Sequence, residues 1–436
     1  MYKEHSAKQS SLRATDFLLD LGTVEETKAC ADERSAICKG LEFNSHIHLP
    51  PNFSAFESVS EAVHLAARQN IRVLGAGNYY DFSVYNEFAQ AAFKKGIFPL
   101  FGTEIIALER NLQQQVIRVN DPVNPGKYYI CGKGISRFER LSHRAAELLS
   151  VIRSNDALRM CQMAEKLGRV FSERGVEMGL TDATVIDRVV RRYGCDRRAV
   201  TLQERHLAQA FQEVFFEKVP EERRIQRLAE VFGCQVKSGP QDAVGIQNEI
   251  RSNLMKAGRP CYVDEVFVDL SQAKELILEL GGIPCYPVLA DGAKQRCEYE
   301  TPVEELIGNL NTGRYSMAEF IPVRNQPEVL AEYVKAIRKA GIAVVAGTEH
   351  NTLDVLPIAP VCAHGQAIPK QVKDIFREGV CVLAAHAFLS AHGLCGFVDE
   401  GNNPNPDYHS TAERIEGFRK IGSVVLERYF QKHNSS

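Results

Sequence analysis

The chain has 436 residues, 44% hydrophobic and 25% charged, with a formal net charge of −3. That size holds roughly two or three cores, or one large barrel with insertions. The near-neutral balance argues against a chain-wide nucleic-acid or membrane field, and no stretch approaches the ~20 apolar residues of a membrane span.

Residues 1–40 read as a polar, partly helical lead-in. LEFNSHIHL (41–49) predicts a strand, stopped at Pro50-Pro51 because proline can neither extend a ladder nor enter a helix interior. Ser58 and Glu61 have capping-box spacing ahead of an apolar stripe of Val59, Ala62, Val63 and Ala66, which predicts a helix. IRVLGAG (71–77) is the second strand, 83–95 the second helix and IFPLFGTEI (97–105) the third strand. VIRVND (116–121) and YYICGKG (128–134) predict a strand pair around a Pro/Gly turn.

Over 136–260 the pattern is nearly all helical, with breaks at Gly175, Gly194, Pro220 and Gly233. It reads as a large insertion. Within it Arg188, Arg191, Arg192, Arg197, Arg198 and Arg205 cluster, either as a solvated helix surface or as an anion-facing patch.

The strand–helix rhythm then resumes. Ser271 is the expected cap of a helix with Ala273, Leu276, Ile277 and Leu280 on one face. IPCYPVLAD (283–291), SMAEFIPV (316–323) and IAVVAGTEH (342–350) read as strands, with a helix burying Leu330, Tyr333, Val334 and Ile337 before the last. GFVDEGNNPNPDYHS (396–410) is a polar loop that either covers a site or leads to the final helix, which Ser410 and Glu413 begin. Such alternation implies an α/β fold with a mainly parallel sheet, open or closed into a barrel.

The 12 cysteines run from Cys30 to Cys395 without a CxxC pair, which argues against a zinc ribbon and a thioredoxin-like motif. Scattered thiols in a chain this large suit a reducing cytosol, and the N-terminus lacks the apolar run of a signal peptide. The expectation is a cytoplasmic protein.

The residues with chemical potential stand at strand ends, where barrel enzymes carry their sites. His46 and His48 are two apart on one strand and share a face. Two later strands end in Gly-Thr-Glu, at Glu104 and Glu349, where glycine leaves room and a carboxylate follows. Two imidazoles and two carboxylates suit Zn²⁺, Mn²⁺ or Fe²⁺ with positions open for water. Alternatively, each Glu serves a helix cap or an ion pair. Arg324 either holds an anionic group at the rim or pairs with a neighbouring Glu, and His206 either faces the barrel mouth or lies on a helix surface.

His46-Ile47-His48, the strand-helix-strand leading to FGTEI, LGGIPCYP at 280–287 and GTEHN at 347–351 resemble the polymerase and histidinol phosphatase (PHP) family. They follow its H-x-H, G-x-E, A-H-P and G-S-D-x-H landmarks in order. TDATV at 181–185 and ERHLAQAF at 204–211 resemble the insertion of the branch that dephosphorylates small nucleotides. The resemblance implies a distorted (β/α)7 TIM-like barrel in two parts, 41–135 and 261–355, interrupted by the helical insertion 136–260. C-terminal loops and a helix follow over 356–436. It also implies phosphoester hydrolysis at a multi-metal rim.

Departures narrow that expectation. Asn78, Tyr79, Tyr80 and Asp81 stand where the family has Asp-His, Tyr286 replaces the A-H-P histidine, and Asn351 replaces the last one. Asn52-Phe53 occupies the place of an Asp shortly after H-x-H, and Tyr128 to Cys131 lack the histidine of the following strand. One metal is therefore expected, at His46, His48, Glu104 and Glu349, with a small anionic, phosphorylated substrate. Tyr79, Tyr286 and His350 are the expected catalytic groups, and Asn78, Asp81, His206, Arg324 and Asn351 the substrate contacts. Tyr79 and Tyr286 either position substrate, act as acids if a cation lowers their pKa, or fill space left by lost metals. The alternatives are a PHP-like barrel that binds a ligand or partner without hydrolysis, and an amidohydrolase-type enzyme, which would want a metal-bridging lysine.

Overall fold

The structure, a computed structural model, describes residues 13–32, 40–353 and 356–434. The first twelve residues of the lead-in, 1–12, lie outside the described residues.

Among the described residues eight segments form strands: β1 (Phe43–Ile47), β2 (Val73–Ala76), β3 (Phe98–Leu108), β4 (Lys127–Lys133), β5 (Val268–Asp269), β6 (Ile283–Val288), β7 (Met317–Phe320) and β8 (Ala343–Ala346). Seven lie in the order β1-β2-β3-β4-β6-β7-β8, and β5 pairs with β3 at the side. All neighbours are parallel except β4, which runs against both β3 and β6. That reversed strand is the distortion.

The sheet nearly closes. Just past β8, Thr348 and Glu349 donate their amides to the His46 carbonyl at 3.0 and 2.9 Å, and the His48 amide bonds the Glu349 carbonyl at 2.7 Å. β1, β2, β7 and β8 are buried at every position, as strands packed on both faces must be. The fold is a seven-stranded, TIM-like α/β barrel.

Amphipathic helices cover the outside. Ser58 accepts from the Glu61 amide at 3.1 Å, and Val59, Ala62, Val63 and Ala66 turn inward. Ser410 likewise caps the final helix, Thr411–Asn434, through the Glu413 amide at 3.1 Å.

Three local expectations are corrected. Residues 116–121 form no strand; the Asn120 side chain bonds the Tyr129 backbone at 2.8 and 2.9 Å in place of a ladder. Asp269, not Ser271, caps the following helix, because its carboxylate reaches the Gln272 amide at 2.8 Å. A long helix, Lys370–Ala391, stands in the tail; its second half is buried all round and so shows no amphipathic stripe to read.

The insertion has its own core, with Met163, Leu167, Phe171, Phe211, Phe215, Leu228 and Ile246. Its longest helix, His143–Ser172, serves two cores: Ala145, Leu148, Leu149 and Ile152 join the barrel core, and Met160 to Phe171 the insertion core. Gly194 and Gly233 end two insertion helices with φ of 62° and 68°, the left-handed conformation that glycine reaches without strain. Among the described residues no helix is long and apolar enough to cross a membrane.

The two C-terminal helices cross at a glycine contact. A Cβ on Gly422 would lie 1.8 Å from the Cys381 carbonyl oxygen, a backbone atom that cannot swing aside. Gly422→Ala should therefore destabilise the protein by about 1–3 kcal/mol through overpacking, read as a lower midpoint in denaturant titration.

Candidate active site

The rim of the barrel is built around close backbone approaches. A Cβ on Gly77 would sit 2.5 Å from the His46 ring, and one on Gly347 would sit 2.3 Å from the His46 Cβ. Glycine at the ends of β2 and β8 is thus what lets His46 point into the barrel.

Behind His46 lies a buried ionic network. Glu319 on β7 is 1% exposed; it accepts from the Ser45 hydroxyl at 3.1 Å, pairs with His46 Nδ1 at 2.8 Å and forms a short ion pair with Lys133 of β4. Burial pushes its carboxyl up, but Lys133 and His46 outweigh burial and hold it down at about 2. Lys133 also donates to the Ser45 carbonyl at 3.3 Å.

An ionised Glu319 only accepts, which puts a proton on Nδ1 of His46; in the neutral imidazole the lone pair is then on Nε2. That Nε2 is buried without a hydrogen-bond partner. It lies 3.7 Å from a Glu104 oxygen, and His48 Nε2 lies 3.1 Å from the same oxygen.

One ligand atom each from His46, His48 and Glu104 falls within 4.8 Å of the others. Two imidazole nitrogens and a carboxylate, one nitrogen fixed by a buried glutamate, fit a divalent cation with open positions. His46, Cys131 and Glu319 also fall within 4.8 Å. That set is the poorer one: Lys133 already holds Glu319, and burial, then Glu319, push the Cys131 thiol well up. The Tyr79 ring stacks on His48 at 5.0 Å. Burial first, then Glu104, push its phenol well above the ordinary range, so no lowered-pKa acid arises there from the protein groups.

Glu349 is engaged differently. Both carboxylate oxygens meet the fork of Arg324, and Asn351 donates to one of them at 2.9 Å. It is not in the three-residue cluster, so the arginine holds the expected fourth ligand. Glu349 and His350 have φ of 59° and 55°, unusual for residues with side chains. The local strain keeps the Glu349 carbonyl on the His48 amide while its side chain faces the arginine.

A cavity of about 370 Å³ opens at this rim, lined by Tyr79, Glu104, Arg324, Glu349 and Asn351 from the barrel. Thr201 to Arg205 and Arg251 line it from the insertion.

The other expected site residues do not line that cavity. Tyr286 is fully buried and donates to Glu300 at 2.9 Å; burial, then Glu300, push its phenol well up. His350 stacks on Phe56 and meets the Leu356 carbonyl at 2.9 Å. Asn78 holds both backbone groups of Leu49, at 2.8 and 2.9 Å, and Asp81 faces Ser83 and Arg153.

His206 meets the Pro51 carbonyl at 3.2 Å and the Gln203 amide at 3.0 Å; burial lowers its pKa to about 3, so it stays neutral. These five side chains brace the loops around the rim. The loop 396–410 also stays away from the cavity and leads into the last helix.

Glu319 and Lys133 carry no sequence signal. Glu319 is a single acid inside SMAEFIPV, and Lys133 sits in GKG without phosphate-loop spacing.

No protein-family model matches the chain, and no curated protein matches it in sequence. Solved structures similar in shape include the following two. One, from Bifidobacterium adolescentis and described as a "putative metal-dependent phosphoesterase", has a TM-score of 0.51 at 13% identity over 77% of this chain and 96% of its own. The other, an amidohydrolase from Chromobacterium violaceum, has a TM-score of 0.48 at 16% identity over 77% and 96%. At such identity what the first one shares with this chain is the fold.

Lys133→Met would leave the Glu319 charge buried with no cation of fixed charge. We expect a loss of about 3–5 kcal/mol in chemical denaturation, largely recovered in the Lys133→Met, Glu319→Leu double variant.

Proposed function

We propose that the chain is a metal-dependent hydrolase acting on a small phosphorylated molecule such as a nucleotide or sugar phosphate. His46, His48 and Glu104 would hold one divalent cation, Zn²⁺, Mn²⁺ or Fe²⁺. The observation that carries this reading is the buried, partnerless Nε2 of His46 beside His48 and Glu104. Glu104 itself lies on the wall of a cavity that also holds arginines. The fold shared with a protein described as a phosphoesterase supports the same class.

When bound, such an ion lowers the pKa of a ligated water toward ~7 and polarises a phosphoryl oxygen. The protein groups have separate tasks. Glu319 fixes the orientation and tautomer of His46. Tyr79 keeps its proton and can donate a hydrogen bond to a substrate oxygen in the cavity it lines. Arg324, fixed by Glu349, offers its remaining surface to an anionic group. The free cysteines suit a reducing cytoplasm, where we place the protein.

A second reading keeps the cavity without turnover, as a PHP-like barrel that binds a ligand. The Arg324–Glu349 pair favours it, since three ligands for one ion give no two-metal clamp on attacking and leaving oxygens.

Protein purified without chelator should carry about one equivalent of metal and turn over members of a phosphomonoester panel. His46→Ala should lose the metal and roughly 100-fold or more in activity, given that losing a group that only hydrogen-bonds to a metal ligand already costs ~10–100-fold. Metal without turnover, with ligand-induced thermal shifts, selects the second reading. Absence of both metal and turnover refutes the hydrolase.

A further inference from the structure

Most of the arginines clustered between 188 and 205 are spent on carboxylates. Arg188 pairs with Glu213 and Glu217, Arg192 with Glu213, Arg197 with Asp187 and Arg198 with Asp196. Arg205 differs. Among the described residues it makes no ion pair and no hydrogen bond, and it lines the cavity with its guanidinium 5.9 Å from the Phe53 ring.

Arg251 stands beside it. Among the described residues its buried Nε has no partner, and its single ion pair is a long one, 3.6 Å to Glu204. Glu204 is already shared, at 2.7 Å with Arg159 and 2.7 Å with Lys256. One carboxylate thus serves three cations while Arg205 has none. The other acid that acts on Arg205 is Glu349, and both of its oxygens are already held by the Arg324 fork; Glu265, on the same cavity wall, is taken by Lys127 and Arg159.

Arg205 carries the cost of this arrangement. Burial first, and Arg251 second, push its pKa down to about 10. Two adjacent guanidiniums with unused donors, facing a cavity, are the arrangement that a tetrahedral oxyanion completes, since its oxygens accept from both forks. Arg205 also sits in the first turn of the helix Glu204–Lys218, where the helix dipole favours an anion.

We propose that Arg205 and Arg251 form an oxyanion-binding site on the insertion wall of the cavity, selective for a tetrahedral dianion of the phosphate type. The site holds a phosphoryl group of the ligand independently of the His46, His48 and Glu104 cluster. This deepens the reading above and rests on it for the cavity being a substrate site, but it needs neither metal nor turnover.

The test is isothermal titration of the full, chelator-treated chain with inorganic phosphate at low ionic strength, with acetate as a second arm. Phosphate should bind and acetate should not. Arg205→Gln and Arg251→Gln should each weaken phosphate binding roughly 10- to 100-fold, the usual worth of a charged hydrogen-bonding partner. His46→Ala should leave it within about 3-fold, and Arg205→Lys, which keeps charge but loses the fork, should fall between.

Circular dichroism and unfolding midpoints show whether each variant folds, and Arg205→Lys carries the test if a glutamine variant does not. No phosphate binding by the parent chain overturns the proposal, as does equal binding by the arginine variants or equal binding of acetate. Loss of binding in His46→Ala overturns it too, by placing the anion at the histidines. Phosphate binding that persists without metal uptake or turnover refutes the hydrolase and leaves this site standing.

Discussion

The barrel is organised around one buried carboxylate. Glu319 enters from β7 and is met by Lys133 from β4, Ser45 and His46 from β1. An isolated charge at that depth would be prohibitive, so the strands must register to bring all partners together. The same contact that satisfies Glu319 puts a proton on Nδ1 of His46 and turns Nε2 towards Glu104, 3.7 Å away. Interior electrostatics and site chemistry are therefore one arrangement.

Much of the architecture was legible because it follows from periodicity. Apolar runs of strand length alternate with helical stripes, and Ser58 and Ser410 cap where capping-box spacing places them. Misreadings came where a side chain substitutes for backbone. Asn120 provides the hydrogen bonds that a strand at 116–121 would have made, and Asp269 outcompetes Ser271 because it lies at the turn itself. The helix Lys370–Ala391 hides for a different reason: half of it is core on every side.

The candidate site was legible in part. His46 and His48 stand out because alternation puts them on one face, and Glu104 joins them, though β3 runs on to Leu108 and leaves it inside the strand and not at its end. Glu349 lies three residues beyond the end of β8, at an isolated bridge to Ile47, and whether it faces a cation or Arg324 depends on a residue 25 positions away. Tyr286 occupies a landmark position but is drawn into the core by Glu300, a partner with no motif of its own. Glu319, Lys133 and Arg251 were invisible because nothing local distinguishes a buried charge from an exposed one.

Two contacts seat the insertion on the loop after the histidines: Gln203 receives the Phe53 amide at 2.8 Å, and His206 meets Pro51. The helix His143–Ser172, about 45 Å long at 1.5 Å per residue, fixes the other side by running from one core into the next. It makes the insertion a poor cassette. A substitute domain grafted at 136–260 would have to bring its own Leu148, Leu149 and Ile152, or open a hole in the barrel wall. Diversification of the cavity should therefore proceed by point substitution on the insertion's inner face, with the shared helix retained as a keel.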